Sequence, residues 1–226
     1  MSTEDRLQSL YPFLHGRRQD AATLKAALIE SVRQKALEHR TALDEFFANN
    51  REAVIAAAET IAGVYRAGGR MFAMGNGGSS CDAAHFSVEF LHPITAGRVA
   101  LPAINLTADI AMTSAVGNDV GFTHIFTRQI IALGRANDGL IGFSTSGNSE
   151  NLVHAFVMAR EMGLKTIGLA GGTGGKMVAA ELDHCLVVRT DSIHRVQECH
   201  VTIYHILWDL VHTLLADDRG GLAATR

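Results

Sequence analysis

The sequence predicts a doubly wound α/β sandwich, in which helices cover both faces of a parallel sheet. Short apolar runs of about five residues, the usual length of a strand, alternate along the chain with helical patterns. The runs are apolar at successive positions, which is typical of parallel strands buried on both faces. Two loops rich in Gly and Ser each follow an apolar run and precede a helix, where open α/β sheets bind their ligands.

The elements can be assigned in order along the chain. Apolar residues at steps of three and four predict N-terminal helices over about 20–67, with Asn49-Asn50 as a candidate break and Gly68-Gly69 as the stop. The predicted strands are 70–74, 101–106, 139–143, 166–170 and 185–188. The predicted helices after the first strand are 79–92, 108–116, 122–134, 149–162, 174–181 and 194–216.

Charge density suggests the domain organisation. The chain has 226 residues, 47% hydrophobic and 19% charged, which is enough apolar material for a sizeable core and excludes a disordered protein. Residues 1–45 hold 14 of the 43 charged side chains. We therefore predict a partly exposed N-terminal helical extension over 1–45, one sandwich domain over 46–216, and a disordered tail over 217–226.

Composition also limits the partners and the compartment. A net charge of -3 gives no electrostatic footprint for nucleic acid, and no apolar run reaches the roughly 18 residues of a membrane span. The three cysteines form no CxxC pair, which fits a reducing compartment. The first residues lack the apolar segment of a secretory leader. The prediction is a cytoplasmic protein that binds neither membrane nor nucleic acid.

The first loop is Gly75-Asn76-Gly77-Gly78-Ser79-Ser80. Glycines let the backbone approach a ligand closely, and the N-terminus of the following helix presents free N–H groups to an anion. No Lys precedes the Ser pair, so this is not a Walker A loop, and Ser80 stands where a dinucleotide fingerprint needs its third Gly. A plain tight turn between strand and helix is the alternative.

The second loop is Ser144-Thr145-Ser146-Gly147-Asn148-Ser149. Its hydroxyls and glycine form a group of hydrogen-bond donors without fixed charge, which suits the phosphate of a small sugar better than a nucleoside triphosphate. The alternative is a capped helix start, with Ser149 as the N-cap. Two such loops at the ends of strands in one sheet favour a ligand site.

A third group of polar residues lies on two helices. His85 and Glu89 are four residues apart and share one helix face, while Gln197 and His205 lie about two turns apart on the last helix. Imidazole, carboxylate and amide oxygen can together hold a zinc-like ion, and a Glu beside a His is also an acid/base pair. Because the chain has eleven histidines, chance pairs are expected, and hydrogen-bonded core histidines such as His200 and His212 are the alternative.

The ordered motifs resemble those of the bacterial phosphoheptose isomerase family, which has a sugar isomerase (SIS) fold. The matching segments are GNGGSSCDAAHFSVEF (75–90), VGNDVGF (116–122), STSGNSENLVHAFVMAREMG (144–163), GGKM (174–177) and RVQECHVTIYHIL (195–207). The resemblance implies a three-layer αβα sandwich with a five-stranded parallel sheet, assembled as a homotetramer with sites at subunit interfaces. It implies conversion of sedoheptulose 7-phosphate to a heptose 7-phosphate through a cis-enediol, and one zinc ion per subunit.

Residue roles follow from the same resemblance. Glu89 would be the base and His205 the acid. The metal ligands would be His85, Glu89, Gln197 and His205. The substrate would contact Asn76, Gly77, Gly78, Ser79, Glu89, Asn118, Asp119 and Gln197, and its phosphate would contact Ser144, Thr145, Ser146 and Ser149.

The sequence departs from the family pattern in three places, one of which is roughly the first 20 residues, which have no counterpart in the family. Residues 90–93 intervene before Arg98, which leaves the role of this Arg open, and His194 stands where the family often has Asp. The alternative functions are a non-catalytic SIS protein, which binds a phosphosugar or the replication initiator protein, and a phosphosugar-sensing regulator. Glu89 and His205 are both present, which favours catalysis, and no helix-turn-helix or basic stripe supports the regulator.

Overall fold

A computed structural model describes residues 21–216, so the first 20 residues of the predicted extension and the predicted tail lie outside the described residues. The chain divides into two compact units, residues 1–38 and 39–226. In the first unit, the described residues 21–38 are helical and almost all exposed, and Arg33 pairs with Glu30. The predicted domain boundary between residues 45 and 46 stays a prediction.

The second unit contains the predicted parallel sheet. All strand pairs are parallel, and the strand order is β2-β1-β3-β4-β5. The strands are β1 (Met71–Gly75), β2 (Ala103–Asn105), β3 (Gly139–Ser144), β4 (Lys165–Gly171) and β5 (His184–Val188). Each overlaps a predicted run, and β2, the shortest of them, pairs with β1 at one edge of the sheet.

Helices follow the strands as predicted, and α1 precedes them. They are α1 (Ala21–Arg66), α2 (Gly78–Leu91), α3 (Ile110–Asp119), α4 (Thr127–Leu133), α5 (Glu150–Glu161), α6 (Gly175–Ala179) and α7 (Ile193–Ala216). No helix within residues 21–216 is both long enough and apolar enough to cross a membrane.

Two hydrophobic cores, one on each face of the sheet, confirm the three-layer architecture. Alternate residues of each strand enter opposite cores because successive side chains of a strand point to opposite faces. Met71 and Ala73 pack with α2, α7 and the second half of α1. Phe72 and Met74 pack with α3, α4 and α5. The sheet is therefore buried on both sides, which explains its continuous apolar runs.

Two predicted features differ from the structure. The break at Asn49-Asn50 is wrong, because the side-chain amides donate to the carbonyls of Glu45 and Phe46 one turn earlier, both at 2.8 Å, and the helix continues. The helix predicted over 122–134 is divided into a 3₁₀ turn (Phe122–His124) and α4. The tighter turn precedes Ile125 and Phe126, which are both buried in the core although they are adjacent in sequence.

Candidate active site

Helix α2 presents the first two polar residues of the site. His85 and Glu89 lie one turn apart on the same face, and His85 Nε2 is 3.1 Å from Glu89 Oε1. Both side chains are partly exposed, whereas the opposite face of α2 buries Phe86 and Phe90 in the core. The helix thus holds an imidazole and a carboxylate at the surface while its apolar face anchors it to the sheet.

Helix α7 adds His205 to this pair. Helices α2 and α7 pack together on the same face of the sheet, and the rings of His85 and His205 lie 4.9 Å apart between centroids. The indole N–H of Trp208 donates to the backbone carbonyl of Glu89 at 2.8 Å, which ties the two helices at the site. The structure therefore brings together the predicted base and the predicted acid.

The three side chains fit a metal ion. One ligand atom from each of His85, Glu89 and His205 lies within 4.8 Å of the other two. Zinc with bonds of about 2.1 Å in a tetrahedral site needs ligand atoms about 3.4 Å apart. Small rotations of the three side chains would bring their ligand atoms to that separation. The donors are imidazole nitrogen and carboxylate oxygen, and both are common ligands of zinc.

Burial and neighbouring charges tune this cluster. Burial lowers the pKa of His205, the nearby His85 lowers it further, and Glu89 opposes both effects. Burial raises the pKa of Asp82 to about 6, which His85 partly opposes. Asp82 lies one turn before His85 and is 6% exposed, and its Oδ2 has no hydrogen-bond partner within the described part of the chain. Perturbed carboxyl and imidazole groups in one place are typical of catalytic sites.

The fourth predicted ligand, Gln197, is a residue of α7 whose side chain lies against the start of α2. A Cβ at position 78 would collide with Gln197 Nε2, so the Gln197 amide can lie this close only while residue 78 has no side chain. Gln197 is on the same helix as His205, about two turns earlier. The structure thus places Gln197 against the first loop, and its role as a ligand stays a prediction.

The second loop (the hydroxyl loop, 144–149) forms a compact group of hydroxyls at the end of β3. The hydroxyl oxygens of Ser144 and Ser149 are 3.0 Å apart, and the Gly147 N–H donates to Ser144 Oγ at 3.1 Å. Gly147 has φ of 65°, and a Cβ there would collide with the Gly174 carbonyl. Ser149 is the N-cap residue of α5, but its hydroxyl makes no capping bond and faces Ser144 instead. The structure thus confirms Ser149 as the N-cap residue, but without the side-chain hydrogen bond that usually accompanies this position.

A pair of amides joins the first loop to the start of α5, the helix that follows the second loop. The Asn76 side chain, at the end of β1, donates to the Asn151 side chain and accepts from it, both at 2.9 Å. Because β1 and β3 are neighbours in the sheet, the loops that follow them lie side by side. In the same loops, Gly77 and Ser146 are exposed, Ser79 is buried, and Thr145 is half-buried.

Other predicted residues are elsewhere. Asn118 and Asp119 are exposed at the end of α3, where the Asn118 side chain donates to Asp119 Oδ1 at 2.8 Å. Arg98 lies over the Trp208 ring, 4.3 Å from its centre, and pairs with Asp209. His194 is exposed at the start of α7. Nothing in the described chain joins Asn118 or Asp119 to the cluster of His85, Glu89 and His205.

The structure confirms that His200 and His212 are buried, hydrogen-bonded core histidines. His200 is fully buried, and its Nε2 lies 3.3 Å from the Ala170 carbonyl oxygen. His212 is buried with its ring nitrogens 3.0 and 3.2 Å from the carbonyl oxygens of Trp208 and Val99. Burial lowers the pKa of His200 from 6.5 to about 4, which the contact with Ala170 opposes.

His200 should make stability depend on pH. Its folded pKa is about 4 and its unfolded pKa about 6.5, so this contribution is fully present above pH 6.5 and is lost as pH falls toward 4. The full shift corresponds to about 3 kcal/mol of unfolding free energy. Urea unfolding of the wild type and of His200→Gln, compared over that range, should show a flatter profile in the variant. Exposed His154→Gln is the control, and an unchanged profile in His200→Gln would contradict the assignment.

Comparisons with known proteins identify the family. A family model described as SIS domain matches residues 37–171. Phosphoheptose isomerase from Chlorobium phaeobacteroides is 43% identical over 168 residues, 74% of each chain. Phosphoheptose isomerase from Geotalea daltonii is 40% identical over 192 residues, covering 85% of this chain and all of the relative. The structure of a phosphoheptose isomerase from Francisella tularensis has a TM-score of 0.79 and 35% identity, covering 82% of this chain and 98% of that one.

The parallel sheet, the hydroxyl loop and the matching model define an SIS-domain protein. Relatives this similar, matched over most of their length, narrow the class further. The chain belongs to the phosphoheptose isomerase family within the SIS-domain proteins, and it is an enzyme with a phosphosugar isomerase role. The expected resemblance and fold class are thereby confirmed, and the non-catalytic alternatives lose their support.

Three residues at the site escaped the sequence analysis. They are Asp82, Asn151 and Tyr204. Asp82 precedes His85 by three residues on one helix, so helical spacing alone could have associated it with the site. Asn151 and Tyr204 contact residues far away in sequence, at positions 76 and 85. Only the packing of loops and helices reveals those two contacts.

Proposed function

We propose that this chain converts sedoheptulose 7-phosphate to D-glycero-D-manno-heptose 7-phosphate. The observation that carries the proposal is the convergence of the Glu89 carboxylate with the imidazoles of His85 and His205 within 4.8 Å. The names of the relatives support the choice of substrate. This conversion would be the first step in making activated heptose for surface glycans.

The residue types suit an aldose–ketose isomerisation. Glu89 takes a proton from C1 of the ketose and returns it to C2, through a cis-enediol. His205 donates a proton to the oxygen on C2 and accepts one from the oxygen on C1, so the protons balance. The lowered pKa of His205 helps the ring to release its proton, and its neutral form can take one back. Glu89 carries the base role because it is the carboxylate of the cluster.

The hydroxyl loop would bind the phosphate. Ser144 and Ser149 provide two hydroxyls 3.0 Å apart, and Thr145 and Ser146 lie between them in the same loop. Neutral donors hold a phosphate strongly because a hydrogen bond to a charged acceptor is stronger than one between two neutral groups. Binding energy from the remote phosphate then orients the reacting end of the sugar against Glu89.

His85, Glu89 and His205 would hold one zinc ion per subunit, with Gln197 as the fourth ligand. When bound, such an ion polarises the sugar carbonyl as a Lewis acid. Gln197 would reach the ion from α7, the helix that also carries His205. Its amide lies against Gly78, at the start of the helix that carries the other two ligands.

We also propose a cytoplasmic homotetramer with active sites at subunit interfaces. Asn118 and Asp119 support this arrangement because they are exposed at the end of α3, where they would be free to reach a neighbouring subunit's site. Exposed apolar side chains nearby, Val120 and Phe122, would suit a surface that a neighbouring subunit covers.

One assay tests the proposed reaction. Purified protein is incubated with sedoheptulose 7-phosphate, and the aldose product is followed with and without a chelator. The same incubation with unphosphorylated sedoheptulose shows whether the phosphate is required. Formation of the heptose 7-phosphate supports the proposal. Absence of product from sedoheptulose 7-phosphate, with turnover of another phosphoketose, would instead place the chain among isomerases of a different sugar.

Removing the two paired hydroxyls should weaken phosphate binding. In Ser144→Ala with Ser149→Ala, KM for the phosphorylated ketose should rise at least about tenfold, because each lost bond to a charged group costs about 1–3 kcal/mol. Steady-state kinetics measure KM. The control is Ser114→Ala, whose exposed hydroxyl donates to Ala111 on α3. An unchanged KM in the double variant would move the phosphate site elsewhere.

A further inference from the structure

A buried tyrosine contacts the site through His85. Tyr204 is 1% exposed on α7, and its hydroxyl oxygen lies 2.6 Å from His85 Nδ1. Its ring centroid is 5.4 Å from that of His85 and 4.8 Å from that of His205. The hydroxyl therefore meets the nitrogen of His85 on the far side of the ring from Glu89, and it acts on the metal cluster through that ring.

The other nitrogen of His85 decides which way this hydrogen bond runs. His85 Nε2 is 3.1 Å from Glu89 Oε1, and an ionised carboxylate can only accept a hydrogen bond. In the neutral ring, Nε2 therefore carries the proton and Nδ1 is the acceptor, so the Tyr204 hydroxyl donates.

A metal ion would require the opposite arrangement. A ligating Nε2 must offer its lone pair, so the ring proton must move to Nδ1, which then donates to the Tyr204 oxygen. The Tyr204 proton then needs an acceptor of its own. The candidate acceptor is Asp82, one turn before His85 on α2, whose buried Oδ2 has no hydrogen-bond partner among residues 21–216.

We propose that Tyr204 is a positioning residue that holds the His85 ring in either tautomer, donating to Nδ1 in the metal-free enzyme and accepting from Nδ1 when a metal is bound. A hydroxyl can serve both states because it is a donor and an acceptor. The ring keeps one proton throughout. The metal-free half of this inference stands on the contacts alone, and the metal-bound half rests on the metal site of the proposed function.

Tyr204→Phe tests the role because it removes one oxygen and keeps the ring. Zinc affinity, measured by competition with a chelator dye, should fall about 10–100-fold, the usual cost of losing a partner behind a metal ligand. In zinc-saturated protein, kcat should fall while KM for the phosphorylated ketose stays unchanged, because the hydroxyl loop is untouched. The control is Tyr65→Phe, which removes a buried hydroxyl that finds no partner in residues 21–216. Wild-type zinc affinity in Tyr204→Phe would overturn the proposal.

A measurement on the wild type does not depend on any variant folding. Long-range ¹H–¹⁵N NMR of the imidazoles, at a pH where they are neutral, distinguishes the two tautomers. The His85 signals are assigned by their loss in His85→Gln. We expect the Nε2–H tautomer without metal and the Nδ1–H tautomer after zinc is added. The Nδ1–H tautomer in the metal-free protein would overturn the proposal, and absence of zinc binding would overturn its metal-bound half. Neither readout uses a sugar, so a wrong substrate would leave both standing.

Discussion

Glu89→Gln is expected to lower kcat by about 10²–10⁴-fold, the usual contribution of a positioned acid or base. The substitution keeps the size of the side chain and removes its basicity. The bond from the Trp208 indole is preserved because it ends on the backbone carbonyl of residue 89. KM should change little, because the hydroxyl loop that would bind the phosphate lies outside α2. The loss of activity should therefore appear in kcat.

The base role can be separated from a ligand role. Gln is a weaker metal ligand than Glu, so kinetics of Glu89→Gln are measured in saturating zinc and its metal content is determined in parallel. Glu161→Gln, an exposed change on α5, is the matched control and should keep wild-type kinetics. Circular dichroism verifies that both variants are folded. Wild-type kcat in a folded, zinc-loaded Glu89→Gln would show that another group is the base.

Loss of the metal is the second large effect we expect. Protein purified without a His-tag should contain about one zinc ion per chain, and His205→Ala should contain almost none, because it removes one of the three strong ligands that converge among residues 21–216. Chelation should abolish turnover in the wild type, and added zinc should restore it. Because a Gln ligand donates weakly, occupancy after purification can fall below one, and loading with zinc before analysis corrects for this.

A second histidine pair provides the control for metal content. His124 and His154 have ring centroids 6.0 Å apart and lie outside the metal cluster. His154→Ala should therefore keep the wild-type zinc content. Full activity in chelator, together with no bound metal and no activation by added divalent ions, would contradict the metal site. Glu89 and His205 would then act as a metal-free acid/base pair.

Much of the fold could be predicted because its signals are local. Each strand of the sheet is a short apolar run, and such runs are what burial on both faces selects. The errors occurred where side chains decide the outcome. Asn49 and Asn50 read as a break, yet their amides bond back to the previous turn and the helix continues. Ser149 is the N-cap residue, as the capping alternative expected, yet its hydroxyl faces Ser144 and makes no capping bond.

The site residues also fall into those that local spacing indicates and those that it does not. His85 and Glu89 could be paired from spacing alone, because residues four apart share a helix face. His205 could be offered as a candidate from its residue type, but its role beside Glu89 came only from the resemblance to a family, since more than a hundred residues separate the two. Spacing could not distinguish His205 from His200 and His212 on the same helix. Burial distinguishes them, since His200 and His212 are buried and His205 is partly exposed beside His85.

The sequence by itself determined the order of strands and helices, the two loops at the strand ends and the pair on α2, because each depends on neighbours along the chain. The tertiary structure decided which elements meet. The strand order places β1 beside β3, so that Asn76 of the first loop meets Asn151 at the start of α5. The packing of α2 against α7 brings His205 to Glu89 and the Tyr204 hydroxyl to His85. Such contacts arise from the burial of apolar helix faces against one sheet, which leaves no periodic pattern in the polar residues that it brings together.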